Sequence, residues 1–348
     1  MQSIKYLIFC LLICQSAFAL PELKTKQALE NLLYISDDGK VTYYQKNSGE
    51  LQYSFNYKIS TIMKGQKNTR YKVIAAKNVN HIAIERNSLY HNNKSHIKQN
   101  DIFIGKYLST DDPKLIGKGT NPQFHLKGKM LSFYNKREKE IKIYSVTKEK
   151  VTQTIKLINK LQPYFIPQVS ILTPDSILYN DVNDKGYEAL LMYSIIDKKF
   201  TTIYKAQRPA MTLSYCVAGE TGFILETPFD SVLSGSQILG INLYNNPDFK
   251  NTFQVYSSEF GDFPSIVCKN DSLYFIKTTN YISQLNLKHS EVAKINAKKL
   301  TILTKEKYLT QVYEFAGMIL TNLNGKVLIV ENNNKLKSDE IAKPEVRE

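Results

Sequence analysis

The residues that could do chemistry are few and scattered. Five histidines occur, at 81, 91, 96, 125 and 289. His91 and His96 bracket Asn-Asn-Lys-Ser in a polar stretch with no thiolate or carboxylate beside them, so they read as solvated loop residues rather than a metal pair. His125 sits in a strand-like run and reads as a hydrogen-bonded strand residue rather than a general base. Glycoside hydrolysis needs two carboxylates flanking one bond. The acids Asp175, Asp181, Asp184, Glu220, Glu226, Asp230 and Asp262 single out no such pair. Asn180–Gly186 has the polar composition of a calcium loop, but Lys185 and Met192 stand where ligands are needed, so it reads as a polar turn. No Gly-rich phosphate loop, Gly-x-Ser-x-Gly elbow or His-Glu-x-x-His is present. No catalytic residue, metal ligand or cofactor is therefore assigned.

What must position these residues is a repeat. Pro122-Gln123 is followed by Tyr134-Asn135, and Pro167-Gln168 by Tyr179-Asn180 at the same offset, 45 residues on. Between them lie β-branched and aromatic runs with polar turns, and the same texture extends over 32–331. Leu32–Ile35, an Asp-Asp-Gly turn and Val41–Tyr44 give a hairpin signal. A period of this size with strands and no helices points to an all-β fold, a single β-propeller of four-stranded blades. Seven blades are expected, with six as the alternative. The first unit reads as short of an inner strand and the last as short of an outer one. The N-terminal segment would then complete the last blade and remove the open sheet edges.

The chain begins Met1-Gln2-Ser3-Ile4-Lys5, continues with an apolar run from Tyr6 to Cys14, and reaches Ala17-Phe18-Ala19. These are the parts of a signal peptide cut after Ala19. The run is shorter than the roughly 20 residues of a spanning helix, and Ile13 before Cys14 disfavours lipidation. Residues 20–31 read as an arm or short helix, and 332–348 as a disordered polar tail. No later segment has 18 unbroken apolar residues, so no transmembrane segment is expected in the mature chain.

An exported chain retains Cys216 and Cys268, in Leu213-Ser-Tyr-Cys-Val217 and Pro264-Ser-Ile-Val-Cys268. Two separately buried thiols are the expected reading, with a disulfide, which export permits, as the alternative. The residues Gln123, Gln168, Ser214, Ser265 and Gln311 fall at inner-strand positions and are candidates to line a channel. All are neutral and polar, which suits hydrogen bonding better than charged catalysis. The long stretch Thr227–Ser236 is the candidate recognition loop, through Pro228, Phe229, Asp230, Val232 and Leu233, because function concentrates on loops.

The formal charge is +14. It suits either a solvated exterior or capture of an acidic envelope component. Nucleic acid is not expected as a partner of an exported chain with no recognition motif. The 23 tyrosines suit half-buried strands, and sugar stacking is the alternative.

Gly119-Thr-Asn-Pro-Gln-Phe-His-Leu-Lys-Gly-Lys-Met-Leu-Ser-Phe-Tyr134 resembles the blade signature of the TolB-type, WD-repeat-like periplasmic propellers. The fourth unit matches in part, with Thr173-Pro174-Asp175-Ser176 at the turn, while most blades lack Pro-Asp-Gly and the chain has no tryptophan. The resemblance implies a propeller with a central channel and a protein- or peptide-binding face. The function expected is a periplasmic, non-enzymatic binding scaffold for a protein or an acidic envelope component. An envelope polysaccharide lyase or hydrolase, and an accessory subunit of an envelope complex, are the alternatives. The sequence leaves oligomeric state open.

Overall fold

Alternation of apolar and polar residues at period two is what a half-buried strand requires. Among the described residues of the computed structural model, the regular elements are antiparallel strands and two 3-10 turns, at Lys77–Val79 and Leu126–Gly128. It describes residues 32–36, 40–56, 58–65, 69–88, 100–157, 165–183, 185–209, 211–228, 235–243, 252–258, 265–269, 271–282, 287–296, 299–307, 309–315, 318–323 and 326–332. The expected leader, arm and tail lie outside the described residues, except for Asn332, which ends the last strand.

Strands follow chain order within every sheet. The first unit is β1 (Leu32–Ile35), β2 (Val41–Gln45), β3 (Leu51–Phe55) and β4 (Lys58–Met63). A seven-stranded sheet follows, made of β5 (Thr69–Ala76), β6 (His81–Ser88), β7 (Asn100–Lys106), β8 (Lys114–His125), β9 (Met130–Asn135), β10 (Glu140–Ser145) and β11 (Lys150–Lys156). Within it β8 serves two units: its residues up to Gly119 pair with β7, and those from Thr120 pair with β9. The fourth unit is β12 (Val169–Thr173), β13 (Ser176–Val182), β14 (Glu188–Ser194) and β15 (Lys199–Lys205). The fifth is β16 (Met211–Ala218), β17 (Thr221–Pro228), β18 (Gln237–Asn242) and β19 (Thr252–Ser257). The sixth is β20 (Ile266–Lys269), β21 (Ser272–Ile282), β22 (Leu287–Asn296) and β23 (Lys299–Lys307). The last, three-stranded unit is β24 (Leu309–Phe315), β25 (Met318–Leu323) and β26 (Lys326–Asn332).

The first unit departs from expectation. It has an inner strand, β1, and gains a fourth strand, β4. In β4 only Ile62 is buried, so its apolar alternation is too weak to announce a strand. This is general to the outer strands, which are the exposed sheet edges. β4, β8, β11, β15 and β23 each begin with a lysine. The pairing of third with fourth strand carries a register shift in every four-stranded unit. Charge and bulges at an edge discourage pairing with another chain, which accounts for part of the spread of lysine over the exterior.

Apolar clusters lie between neighbouring units rather than in one central core. Tyr43 and Tyr53 of the first unit pack with Tyr71, Ile82 and Phe103 of the second. Tyr134 and Ile143 of the third pack with Ile171 and Tyr179 of the fourth. The two tyrosines of the repeated Tyr-Asn pair thus share one cluster. The glycine that opens the repeat motif is steric in origin: a Cβ on Gly119 would lie 2.7 Å from the Phe133 ring and 2.8 Å from the Tyr134 carbonyl oxygen. Gly119→Ala is expected to lower stability by about 1–3 kcal/mol through this overpacking. The check is a lower denaturant midpoint with an unchanged slope; an unchanged midpoint would show that the strand yields freely there.

Candidate functional site

Among the described residues, the first strand of each sheet pairs on one side only. Its other edge carries N–H and C=O groups that need partners, because buried backbone polar groups are almost always hydrogen-bonded. At β5, β12, β16 and β24, side chains of the preceding unit supply partners. Gln168, just before β12, reaches β16: its Nε2 donates to the Tyr215 carbonyl at 2.5 Å, and the Tyr215 N–H donates to its Oε1 at 3.1 Å. The amide side chain thereby acts as a one-residue strand. Two residues earlier in β16, the Leu213 N–H donates to Glu188 Oε2 at 2.6 Å, and the Leu213 carbonyl accepts from Asn180 Nδ2 at 3.2 Å.

The device recurs with other side chains. Ser265 Oγ donates to the Val312 carbonyl at 3.2 Å and accepts from the Val312 N–H at 2.6 Å, over the same separation of 47 residues as Gln168 and Tyr215. Gln45 bonds the Thr69 carbonyl and accepts from the Tyr71 N–H at 3.2 Å. Glu85 is buried and accepts from the Asn121 N–H at 3.0 Å, Thr120 Oγ1 at 2.6 Å and the Asn100 amide. At the junction of third and fourth units His125 Nδ1 accepts from the Ile171 N–H at 3.3 Å. That role leaves the proton on Nε2, which donates to Ser132 Oγ at 2.7 Å.

The expected channel-lining residues divide accordingly. Gln168 and Ser265 are half-buried and bonded to the next inner strand. Gln123 is half-buried on β8, and Ser214 is exposed on β16. The side chain of Gln311 lies outside the described residues. Asn180 and Glu188 take part in these junctions without having been singled out for it. The Tyr-Asn repeat was the one signal for Asn180. Its counterpart Asn135 instead accepts from the Arg137 and Glu138 N–H groups of its own turn, both at 3.1 Å. The stretch expected to be a polar turn is one only in its second half: Asn180, Asp181 and Val182 are the buried end of β13, and the turn after it is held by Asn183 Oδ1, which accepts from the Lys185 and Tyr187 N–H groups. Cys216 of β16 and Cys268 of β20 are joined as a disulfide rather than buried as separate thiols, because the two strands bring their Cα atoms within 5.5 Å.

Of the candidate recognition loop, Phe229, Asp230, Val232 and Leu233 lie outside the described residues. Its base is described, and it is held firmly. Pro228 is buried at the end of β17, opposite Met211. Glu226 is fully buried and accepts from Tyr204 Oη at 3.0 Å, the Gln207 N–H at 2.9 Å and Gln237 Nε2 at 2.6 Å. On the far side Ser236 is buried and its N–H donates to Ser258 Oγ at 3.2 Å.

Two junction groups have shifted proton affinities. Burial holds His125 down to about 4. A proton on Nδ1 would also face the Ile171 N–H, so the strap requires the neutral ring. Burial raises the Glu188 carboxyl to about 7, against the opposing effect of its bonds from Leu213 and Asn180. A carboxyl poised near neutrality is a feature of many active sites. The described partners of Glu188, however, are a backbone N–H and an amide of the scaffold. Among the described residues no three His, Cys, Asp or Glu side chains gather where they could hold a metal ion.

No protein-family model and no curated protein sequence matches the chain. Solved structures share its fold. It is similar to a prolyl endopeptidase at 9% identity and a TM-score of 0.54, covering 92% of this chain and 53% of that one. It is similar to the β-propeller domain of the trilobed protease from Pyrococcus furiosus at 12% identity and a TM-score of 0.48, covering 87% and 98%. It is similar to TolB from Acinetobacter baumannii at 12% identity and a TM-score of 0.40, covering 78% and 62%. The chain thus spans about half the length of the prolyl endopeptidase and less than two thirds of TolB. At these identities the likeness concerns fold alone. Successive four-stranded antiparallel sheets, each with its strands in chain order, are a β-propeller scaffold.

Replacing Gln168 by Leu leaves the Tyr215 N–H and C=O without this partner and is expected to cost about 1–3 kcal/mol. A denaturation midpoint within error of wild type would contradict the strap. The two titrating groups have opposite effects on stability. Glu188 keeps its proton in the folded state up to about 7 but loses it near 4.5 when unfolded. Its contribution is therefore most favourable below 4.5 and is lost as pH rises to 7. His125 resists protonation down to about 4 when folded and titrates near 6.5 when unfolded. Its contribution is present above 6.5 and lost as pH falls towards 4. Glu188→Gln should therefore gain stability relative to wild type between pH 5 and pH 8, on the order of 1–3 kcal/mol. A difference independent of pH would contradict the assignment.

Proposed function

We propose that the chain is an exported, TolB-like propeller of seven blades that binds a protein or an acidic envelope component through the Thr227–Ser236 loop. The observation that carries this reading is the division of labour among polar side chains. Those at the unit junctions are bonded to the next inner strand, whereas the loop base is fixed by Glu226, Pro228 and Ser236. A loop presented by a rigid scaffold is the usual arrangement for recognition. The reading of seven blades is supported by counting β8 as both the outer strand of one unit and the inner strand of the next. A periplasmic location rests on the leader-like N-terminus and the TolB-type blade motif. Lysines on the outer strands would speed capture of an acidic partner.

The fold likeness to a prolyl endopeptidase supports a rival reading, in which the scaffold serves a hydrolytic reaction. The experiment that separates the two is cross-linked affinity capture by the mature chain from an envelope fraction, run beside turnover assays on peptides, esters and glycans. The binding reading expects one reproducible partner, no turnover, and loss of capture when 229–234 is replaced by a Gly-Ser linker. Capture should weaken as salt rises through physiological strength. Turnover by the purified chain, or capture indifferent to loop replacement, would overturn it.

A further inference from the structure

The disulfide occupies a place that hydrogen bonds occupy elsewhere. Gln45 links the first unit to the second, Glu85 the second to the third, and His125 the third to the fourth. Gln168, Asn180 and Glu188 link the fourth to the fifth, and Ser265 links the sixth to the last. Between β16 and β20, the inner strands of the fifth and sixth units, the Cys216–Cys268 bond forms a covalent link. Cys216 is one residue beyond Tyr215, where Gln168 grips β16 from the other side. β16 is therefore held to one neighbour by reversible hydrogen bonds and to the other by a bond that responds to redox conditions. Both cysteines are half-buried at the edge of an apolar cluster with Ala218, Phe223 and Leu273.

We propose that the Cys216–Cys268 disulfide is a redox-sensitive lock on the fifth–sixth junction. A thiolate of a dithiol reductant attacks one sulfur, the S–S bond breaks, and a mixed disulfide forms while the other cysteine leaves as thiolate and takes up a proton. The reductant's second thiol then closes its own disulfide and releases the first cysteine. Two electrons pass from the dithiol to the protein, and two thiols remain. The inner edges of β16 and β20 come free of one another, while the hydrogen-bonded junctions hold.

The test is amide hydrogen exchange on the full chain with and without dithiothreitol, with disulfide status read from the same peptides. Reduction should speed exchange about tenfold in peptides covering 211–218 and 266–269, and leave 169–173 and 309–315 within about twofold. The double variant Cys216→Ser/Cys268→Ser should reproduce this pattern without reductant. If that variant does not fold, the reductant comparison on the natural chain decides. Unchanged exchange after full reduction would show that apolar packing alone holds the junction. Faster exchange in every sheet at once would show a global staple. Free thiols at both positions in the untreated protein would show that no bond forms. Each of these overturns the proposal.

Discussion

Among the described residues, each sheet starts with a strand that has a neighbour on one side only, and the hydrogen-bonding groups on its other edge must be satisfied. A closed barrel would solve the problem by pairing that edge with another strand. Successive separate sheets cannot, so side chains stand in for the missing strand. The amide of Gln168 is the fullest substitute, since it both donates and accepts at Tyr215. A serine hydroxyl can do the same at Val312. At Leu213 the work is divided: Glu188 accepts from the N–H and the Asn180 amide donates to the carbonyl. The polar composition of the inner strands, which first suggests a channel or a binding site, follows in good part from this need.

The same constraint ties electrostatics to architecture. A junction side chain must be withdrawn from water to reach the neighbouring backbone, and withdrawal penalises its charged form. Glu188 and His125 are displaced in opposite directions for this one reason. Their contributions partly offset each other between pH 4.5 and 6.5, so the whole protein's stability profile would be flatter there than either group alone implies.

Much of the architecture was legible in the sequence because period-two alternation and turn residues report directly on strands. The 45-residue echo of Pro-Gln and Tyr-Asn located the third and fourth units, and Tyr134 and Tyr179 do pack into one cluster. What the sequence hid was strand β4, whose exposed residues give no apolar alternation. It also hid the continuity of β8 across two units, since Gly119-Thr-Asn-Pro122 reads as a break. Junction partners were hidden too. Glu188 and Leu213 belong to different units, and nothing in either residue's neighbourhood names the other. Gln168 and Ser265 were legible as inner-strand polar residues, but their partners were not. Asn135 and Asn180 show the limit of repeat logic, since equivalent positions serve a local turn in one unit and a junction in the next.

The claim on which the account rests is that side chains of one unit satisfy the inner strand of the next. Residue-resolved amide exchange at Tyr215 and Val312 tests it most directly. Both residues are nearly fully buried, and each N–H has a named side-chain acceptor. The account predicts that Gln168→Ala removes protection at Tyr215 and leaves Val312 protected, and that Ser265→Ala does the reverse. Protection retained at both amides in both variants would contradict it, because the backbone groups would then be satisfied by something other than the neighbouring unit.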